Sequence, residues 1–454
     1  MRVTWVQPED LIRHELWQSE REGRDVAEVR KRWLDAGGQD SFPYGGASPE
    51  PAPAELVALA SELLDELDAM PTPTAGDEPS DWDAIVATWS ATPPRLPQNV
   101  DHDRVRGAWL GRAIGCLLGK PVEKVPRRGI EEILRATDRW PLTRYFTAVG
   151  LPAEVSERWP WNKASRSTSL EENIDGMPED DDLNYTLMAL RLVEAKGHSF
   201  TSDDVAQSWL LDLPAGRVFT AERTAYRNLL MGLSPPLSAR RHNPYREWIG
   251  AQIRTDLYGW VCPGNPGLAA ELAWRDAAVS HTANGLYGAM LVAAMASAAV
   301  VASSVDEVID AGLSVVPPRS RLAAAVRRGR ELGTSTLEPA EAYATLEAEY
   351  GDVHWVHTLN NTALLTYALS AGGGDFDRTI CLTVMGGWDT DSSGATAGAV
   401  LGALVGAASI DDYWTAPLRD HLSTSIPGCH GSSFDGLATR TTALLEPDTR
   451  KERA

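Results

Sequence analysis

The chain of 454 residues carries 63 acidic against 42 basic side chains, for a net charge of −21, with 43% apolar and 23% charged residues. So acidic a chain excludes the wrapping of nucleic acid and docking on an anionic membrane, since both need basic faces. Its apolar fraction excludes gross disorder and allows a sizeable core.

Four cysteines, Cys116, Cys262, Cys381 and Cys429, stand far apart with no C-x-x-C spacing. Neither structural zinc nor a disulfide framework is expected. Charges run through the first 25 residues, which do not read as a signal peptide, and a cytoplasmic location follows as the expectation.

In chain order, Pro8 suits a first helical turn and is followed by a stripe of Leu11, Ile12 and Leu16. Val26, Val29 and Trp33 mark a second short helix, and residues 42–53, with four prolines and two glycines, a loop. Leu56, Leu59, Leu63, Leu64 and Leu67 mark a third helix, and 71–80 and 92–98 (TPPRLPQ) read as linkers. Residues 1–100 are thus expected to be a separable helical extension, and 101–454 the main domain. Beyond residue 104 helical periods dominate, at 105–118, 185–195, 205–211, 268–278, 286–302, 305–313, 321–332, 359–371, 396–408 and 437–445. The fold class expected is all-α, one large helical domain plus the extension. Residues 285–304 and 392–410 carry no charge before Asp411, apart from a few hydroxyls, and are long enough to span a bilayer. Their Ala, Gly and Ser content points instead to central helices of a soluble bundle.

Three segments carry chemistry. In MPEDDDLNY, Glu179, Asp180, Asp181 and Asp182 open a helix. One or two acids there complement the helix dipole, but four in a row repel one another and invite a cation. Tyr185 stands where an EF-hand loop needs Gly, which excludes that motif. In GGWDTDSSG, Asp389, Asp391 and Ser392 offer hard oxygen ligands suited to Mg²⁺ or Mn²⁺. Simple helix capping by Asp391 or Ser392 is the competing reading. The D-x-D nucleophile of a haloacid-dehalogenase-like phosphatase is excluded, because Lys451 is the only later lysine. In VRGAWLGRAIGCLLGKPVE, Gly107, Gly111, Gly115 and Gly119 line one helical face, fit for close packing, and Glu123 follows at a Pro-containing turn.

Taken in order, LGKPVE (118–123), EDDD (179–182), GAQIR (250–254), SHTANG (280–285) and GGWDTDS (386–392) resemble the ADP-ribosylglycohydrolase family. The resemblance implies an all-α fold with a binuclear cleft holding two Mg²⁺ ions, or Mn²⁺. It implies Asp180, Asp181, Asp182, Asp389, Asp391 and Ser392 as metal ligands, and Glu123 and Asp181 as catalytic residues. Gly250, Arg254 and His281 would then touch the ADP-ribose, while Trp388, inside the metal loop, offers a stacking surface. Cys116 departs from the pattern by replacing an acid, Asp180 by replacing a threonine, and 255–268 has no counterpart. The activity implied is metal-dependent hydrolysis of the glycosidic bond at the anomeric carbon of an ADP-ribosyl or related ribosyl-nucleotide group, on a protein or small-molecule acceptor. The alternatives are a non-catalytic ADP-ribose-binding or crystallin-like structural protein on the same fold, and an unrelated metal phosphatase.

Overall fold

Nine helices suffice to place the site: α1 (Pro8–Arg21), α2 (Ala54–Ala69), α3 (His102–Gly119), α4 (Asp181–Lys196), α5 (Thr220–Leu230), α6 (Ala283–Ala299), α7 (Arg321–Thr334), α8 (Thr358–Gly372) and α9 (Thr390–Val405). They come from a computed structural model that describes residues 2–41 and 46–445; part of the expected 42–53 loop therefore lies outside the described residues. The protein is 63% helical, and among the described residues there is no strand, only isolated bridges.

The glycine face of α3 has found its partner in α9. The two helices run antiparallel with backbones in contact. A Cβ on Gly107 would lie 2.1 Å from the Gly402 carbonyl, on Gly111 2.0 Å from that of Gly398, and on Gly115 1.9 Å from that of Gly394. The fit is reciprocal: a Cβ on Gly398 would lie 2.0 Å from the Gly111 carbonyl. Any side chain on either face would force the pair apart. At the C-terminal end of α3, the Thr390 hydroxyl donates to the Gly119 carbonyl at 2.8 Å. This contact sets the first turn of α9 beside the LGKPVE turn.

The two uncharged runs become α6 and α9, buried at all but one position each. A helix apolar all round belongs at the centre of a large domain. Among the described residues no helix is long and apolar enough to cross a membrane.

The described part of residues 2–100 is largely helical and packs against the rest of the chain. Leu11, Ile12, Leu16, Trp33, Leu63, Leu64 and Leu67 share one apolar cluster with Ala221, Tyr245 and Trp248. Arg246 pairs with Glu15 (2.7 Å) and Glu22 (2.8 Å) of the extension, all three buried. Gln18 donates to Glu247 at 2.8 Å, and Arg321, opening α7, bridges Glu78 and Glu247 at 2.7 and 2.9 Å. The Pro-rich 92–98 stretch is seated as well, with the Leu96 amide bonded to the Gly264 carbonyl at 2.9 Å. Proline removes helix there without removing contact.

Candidate active site

α3, α4 and α9 converge at one end. Asp180 takes the N-cap of α4, its carboxylate accepting from the Asp182 amide at 2.9 Å. In the early cluster, then, one of the four acids serves as a helix cap. In the late loop, Gly387 and Trp388 both adopt left-handed backbone (φ +81° and +61°). That turn delivers Asp389 to the N-cap position of α9, with Asp391 and Ser392 in its first turn. Asp389 makes no side-chain capping bond, so its carboxylate is left for other work. The acids therefore project from a helix start rather than from an extended loop.

Fixed cations serve only part of the cluster. Lys120, at the turn after α3, pairs with Asp180 and lies 3.4 Å from the Glu179 carbonyl. Arg112 pairs with Asp182 at 3.2 Å and with Asp256. Ser392 Oγ donates to Asp182 at 3.3 Å. Cys116 Sγ, Asp180 and Asp182 each bring a ligand atom within 4.8 Å of the others. Burial pushes Asp180 up, but Lys120 outweighs it and holds the carboxyl below its usual range. Burial, then Asp180 and Asp182, hold the Cys116 thiol protonated.

Asp181, Asp389 and Asp391 have less relief. Among the described residues none of the three forms an ion pair. Burial and then Asp180 and Asp391 push Asp181 well up, and burial, Asp391 and Glu123 do the same to Asp389. Burial, Glu123 and Asp180 raise Asp391 to about 7 against the pull of Lys120. The half-buried Asp181 and the buried Asp389 and Asp391 thus face further acids without an ion pair of their own. Beside them stands Glu123, accepting from Asn162 Nδ2 on one oxygen and facing Lys124 Nζ at 3.1 Å with the other.

Gly250, Arg254 and His281 gather into a separate buried cluster. Arg254 pairs with Asp276 and, at 2.6 Å, with Glu222, and it also donates to the carbonyls of Gly250 and Asp276 and to Ser280 Oγ. Those five bonds use all five of its N–H donors, so it offers no free donor to a phosphate. Gly250 makes room for this pair, since a Cβ there would lie 2.2 Å from Glu222 Oε1. His281 Nδ1 bonds Ser280 Oγ at 2.8 Å, leaving Nε2 without a hydrogen-bond partner. Arg254 meets the acidic helix through the Tyr185 ring, 5.4 Å away. A cavity of about 690 Å³ lies elsewhere, lined by residues such as Arg24, Asp68 and Arg241, where the extension meets the domain.

The sequence profile of the ADP-ribosylglycohydrolase family matches residues 97–451. The chain belongs to the ADP-ribosylglycohydrolase family. An uncharacterized protein of Archaeoglobus fulgidus is 24% identical over 324 residues, 70% of this chain and 92% of that protein. A solved structure named ADP-ribosylglycohydrolase-related protein complex covers 76% of this chain and 99% of its own, at 21% identity and a TM-score of 0.47. The family makes the protein a glycohydrolase in general terms.

Lys120, Arg112, Asn162 and Asn361 were not singled out from the sequence. Asn361 Oδ1, on α8, accepts from the Asp389 amide at 3.2 Å and from Ser393 Oγ at 3.1 Å, and so holds the late loop. Lys120 and Arg112 had a signal: each is a lone cation on an otherwise uncharged stretch of a glycine-faced helix or its end. The two asparagines had none.

Proposed function

We propose that the protein is a metal-dependent hydrolase of the glycosidic bond at the anomeric carbon of an ADP-ribosyl or related ribosyl-nucleotide group, carried by a protein or small-molecule acceptor. Mg²⁺ is the cation of choice, with Mn²⁺ as a substitute. The observation that carries the reading is the trio Asp181, Asp389 and Asp391, none of which forms an ion pair among the described residues and all of which are pushed up by burial and by neighbouring acids, Glu123 among them. Hard oxygen donors in that state fit a hard divalent cation, with Ser392 adding a hydroxyl. A non-catalytic, crystallin-like role is the weaker reading, because a chain that had lost catalysis would have no need to keep such mutually repelling acids. The four cysteines are unpaired and buried, in keeping with the reducing cytoplasm.

A divalent cation, when bound, orients vicinal ribose hydroxyls and lowers the pKa of an attacking water. Glu123 is the proton carrier. Asn162 and Lys124 fix its carboxylate at the mouth of the cluster, within reach of a water or a leaving group. Asn361 keeps the Asp389 backbone in place. Trp388, partly buried beside the ligands, provides an aromatic face for a ribose, base or aglycone.

The test follows free ADP-ribose, or ribose phosphate, released from a panel of ribosylated acceptors. EDTA should stop release, and Mg²⁺ or Mn²⁺ should restore it. Glu123→Gln should keep metal and ligand but lose two to four orders of magnitude in turnover, about the worth of a general base. Turnover that survives exhaustive chelation would refute the metal mechanism. Silence across the panel together with tight ADP-ribose binding would favour the non-catalytic role.

A further inference from the structure

The segment 352–357, which leads into α8, touches both the N-terminal extension and the two flanks of the acid cluster. We infer that the extension is a positioning element of the active site: α1, acting through this segment, sets where Glu123 and Asp389 stand. The catalytic consequence rests on the proposed function; the structural coupling does not.

The contacts form an unbroken chain. Arg21, at the end of α1, pairs with Asp352. Its guanidinium lies 4.4 Å from the centre of the Trp17 ring, and Trp17 meets the His357 ring edge-on, with centroids 6.0 Å apart. Gln18, bonded to Glu247, holds the stretch against which the segment is paired. There the Glu247 carbonyl accepts from the Thr358 amide at 3.1 Å, and the Ile249 amide donates to the Val356 carbonyl at 2.9 Å. The His354 ring stacks on Trp248 at 4.2 Å. His357 is the N-cap of α8, its side chain accepting from the Leu359 amide at 3.2 Å.

Two links run from the segment to the site. Asn361, wholly buried, commits both N–H groups to it, donating to the Trp355 and His357 carbonyls at 2.8 Å each. Its oxygen accepts from the Asp389 amide and from Ser393 Oγ. All four hydrogen-bonding positions of the amide are thereby used, so the start of α9 cannot shift against the segment without losing a buried bond. The second link is Trp355. Its ring centre lies 5.3 Å from the Lys124 ammonium, the group paired with Glu123 at 3.1 Å. A misplacement of about 1 Å can cost about a hundredfold in rate, which gives α1 leverage over chemistry it does not touch.

The test uses the full-length protein in three forms beside wild type: Trp17→Ala with Arg21→Ala, the conservative pair Trp17→Phe with Arg21→Lys, and Arg32→Ala, which cuts the extension's own pairs with Glu62 and Glu66. Hydrogen–deuterium exchange is read without substrate over 352–358 and 386–393. The alanine pair should exchange about tenfold faster at both, with 305–313 unchanged. The conservative pair and Arg32→Ala should match wild type. On an acceptor that is hydrolysed, the alanine pair should lose about tenfold or more in kcat with KM within about twofold. Unchanged exchange at 386–393, a rise equal in every peptide, or an unchanged kcat would overturn the inference. If the alanine pair does not fold, Arg21→Ala alone, which removes only the pair with Asp352 at the surface, decides by the same exchange and kcat criteria. If no acceptor is hydrolysed, the proposed function fails while exchange still decides the coupling.

Discussion

Asp391 shows how far a single side chain can be moved by its neighbours. Burial, Glu123 and Asp180 lift its carboxyl from 3.8 to about 7, and Asp181, Asp182 and Asp389 are displaced in the same direction. In the metal-free protein the folded state then keeps protons, between about pH 4 and pH 7, that the unfolded chain has released. Stability must fall as pH rises through that window. We predict that in EDTA the Tm followed by circular dichroism is several degrees higher at pH 5 than at pH 7.5, and that saturating Mn²⁺ removes or reverses the difference. A metal-free Tm that climbs across the window would show the acids to be otherwise compensated. The acids themselves were legible in the sequence because runs such as EDDD and D-x-D-S are costly without a purpose. Their division into compensated and uncompensated groups was not. That division depends on Lys120 and Arg112 reaching Asp180 and Asp182 across 60 and 70 residues of chain, and no local pattern reports such a pairing.

Among the elements, the pair α3 and α9 has the least tolerance. The methyl of Gly115→Ala would have to occupy space 1.9 Å from the Gly394 carbonyl, and backbone cannot step aside as a side chain tip can. Overpacking of this kind costs about 1–3 kcal/mol or more. We expect Gly115→Ala to lower the urea midpoint by a corresponding amount and also to weaken Mn²⁺ binding, since the same two helices carry both flanks of the centre. Unchanged metal affinity in a destabilised Gly115→Ala protein would mean that the seam supports the fold without setting the site. The four-residue glycine spacing of α3 was readable as a packing face. Its partner was not, because 285–304 and 392–410 are equally uncharged and equally rich in small residues, and composition cannot choose between them.

For the whole molecule, the extension and the domain share buried charge. Glu15 is fully buried, and Arg246 outweighs the burial to keep its carboxyl below the usual range. Glu15→Ala leaves Arg246 with Glu22 as its remaining buried partner, and we predict a loss near the lower end of the range for breaking such pairs, about 3 kcal/mol. Chemical denaturation checks this. A loss under 1 kcal/mol, with the domain unfolding unchanged, would support a detachable extension. That picture came from the prolines of 92–98. Composition records where helix stops; it does not record whether the chain that follows is bonded to something, as the Leu96 amide is. The helical fold class, by contrast, was written in periodicities that persist over most of the chain, and the structure keeps them.

The glycine seam has one further property. Gly107, Gly111, Gly115 and Gly119 face Gly402, Gly398, Gly394 and Thr390. Slide α9 along α3 by one turn, about 6 Å, and the same four meet Gly406, Gly402, Gly398 and Gly394 instead. The observed alignment pairs three of the four with glycine and Gly119 with Thr390, and the shifted one would pair all four with glycine, so steric fit at these positions does not select the observed alignment. The choice falls to polar latches at the ends: the Thr390 hydroxyl on the Gly119 carbonyl, and the Asp103 carboxylate accepting from the Ala408 amide at 3.1 Å. With the Asn361 and Asp182 contacts at the start of α9, these bonds set whether the aspartates of the late loop arrive opposite Lys120 and Glu123 or one notch away.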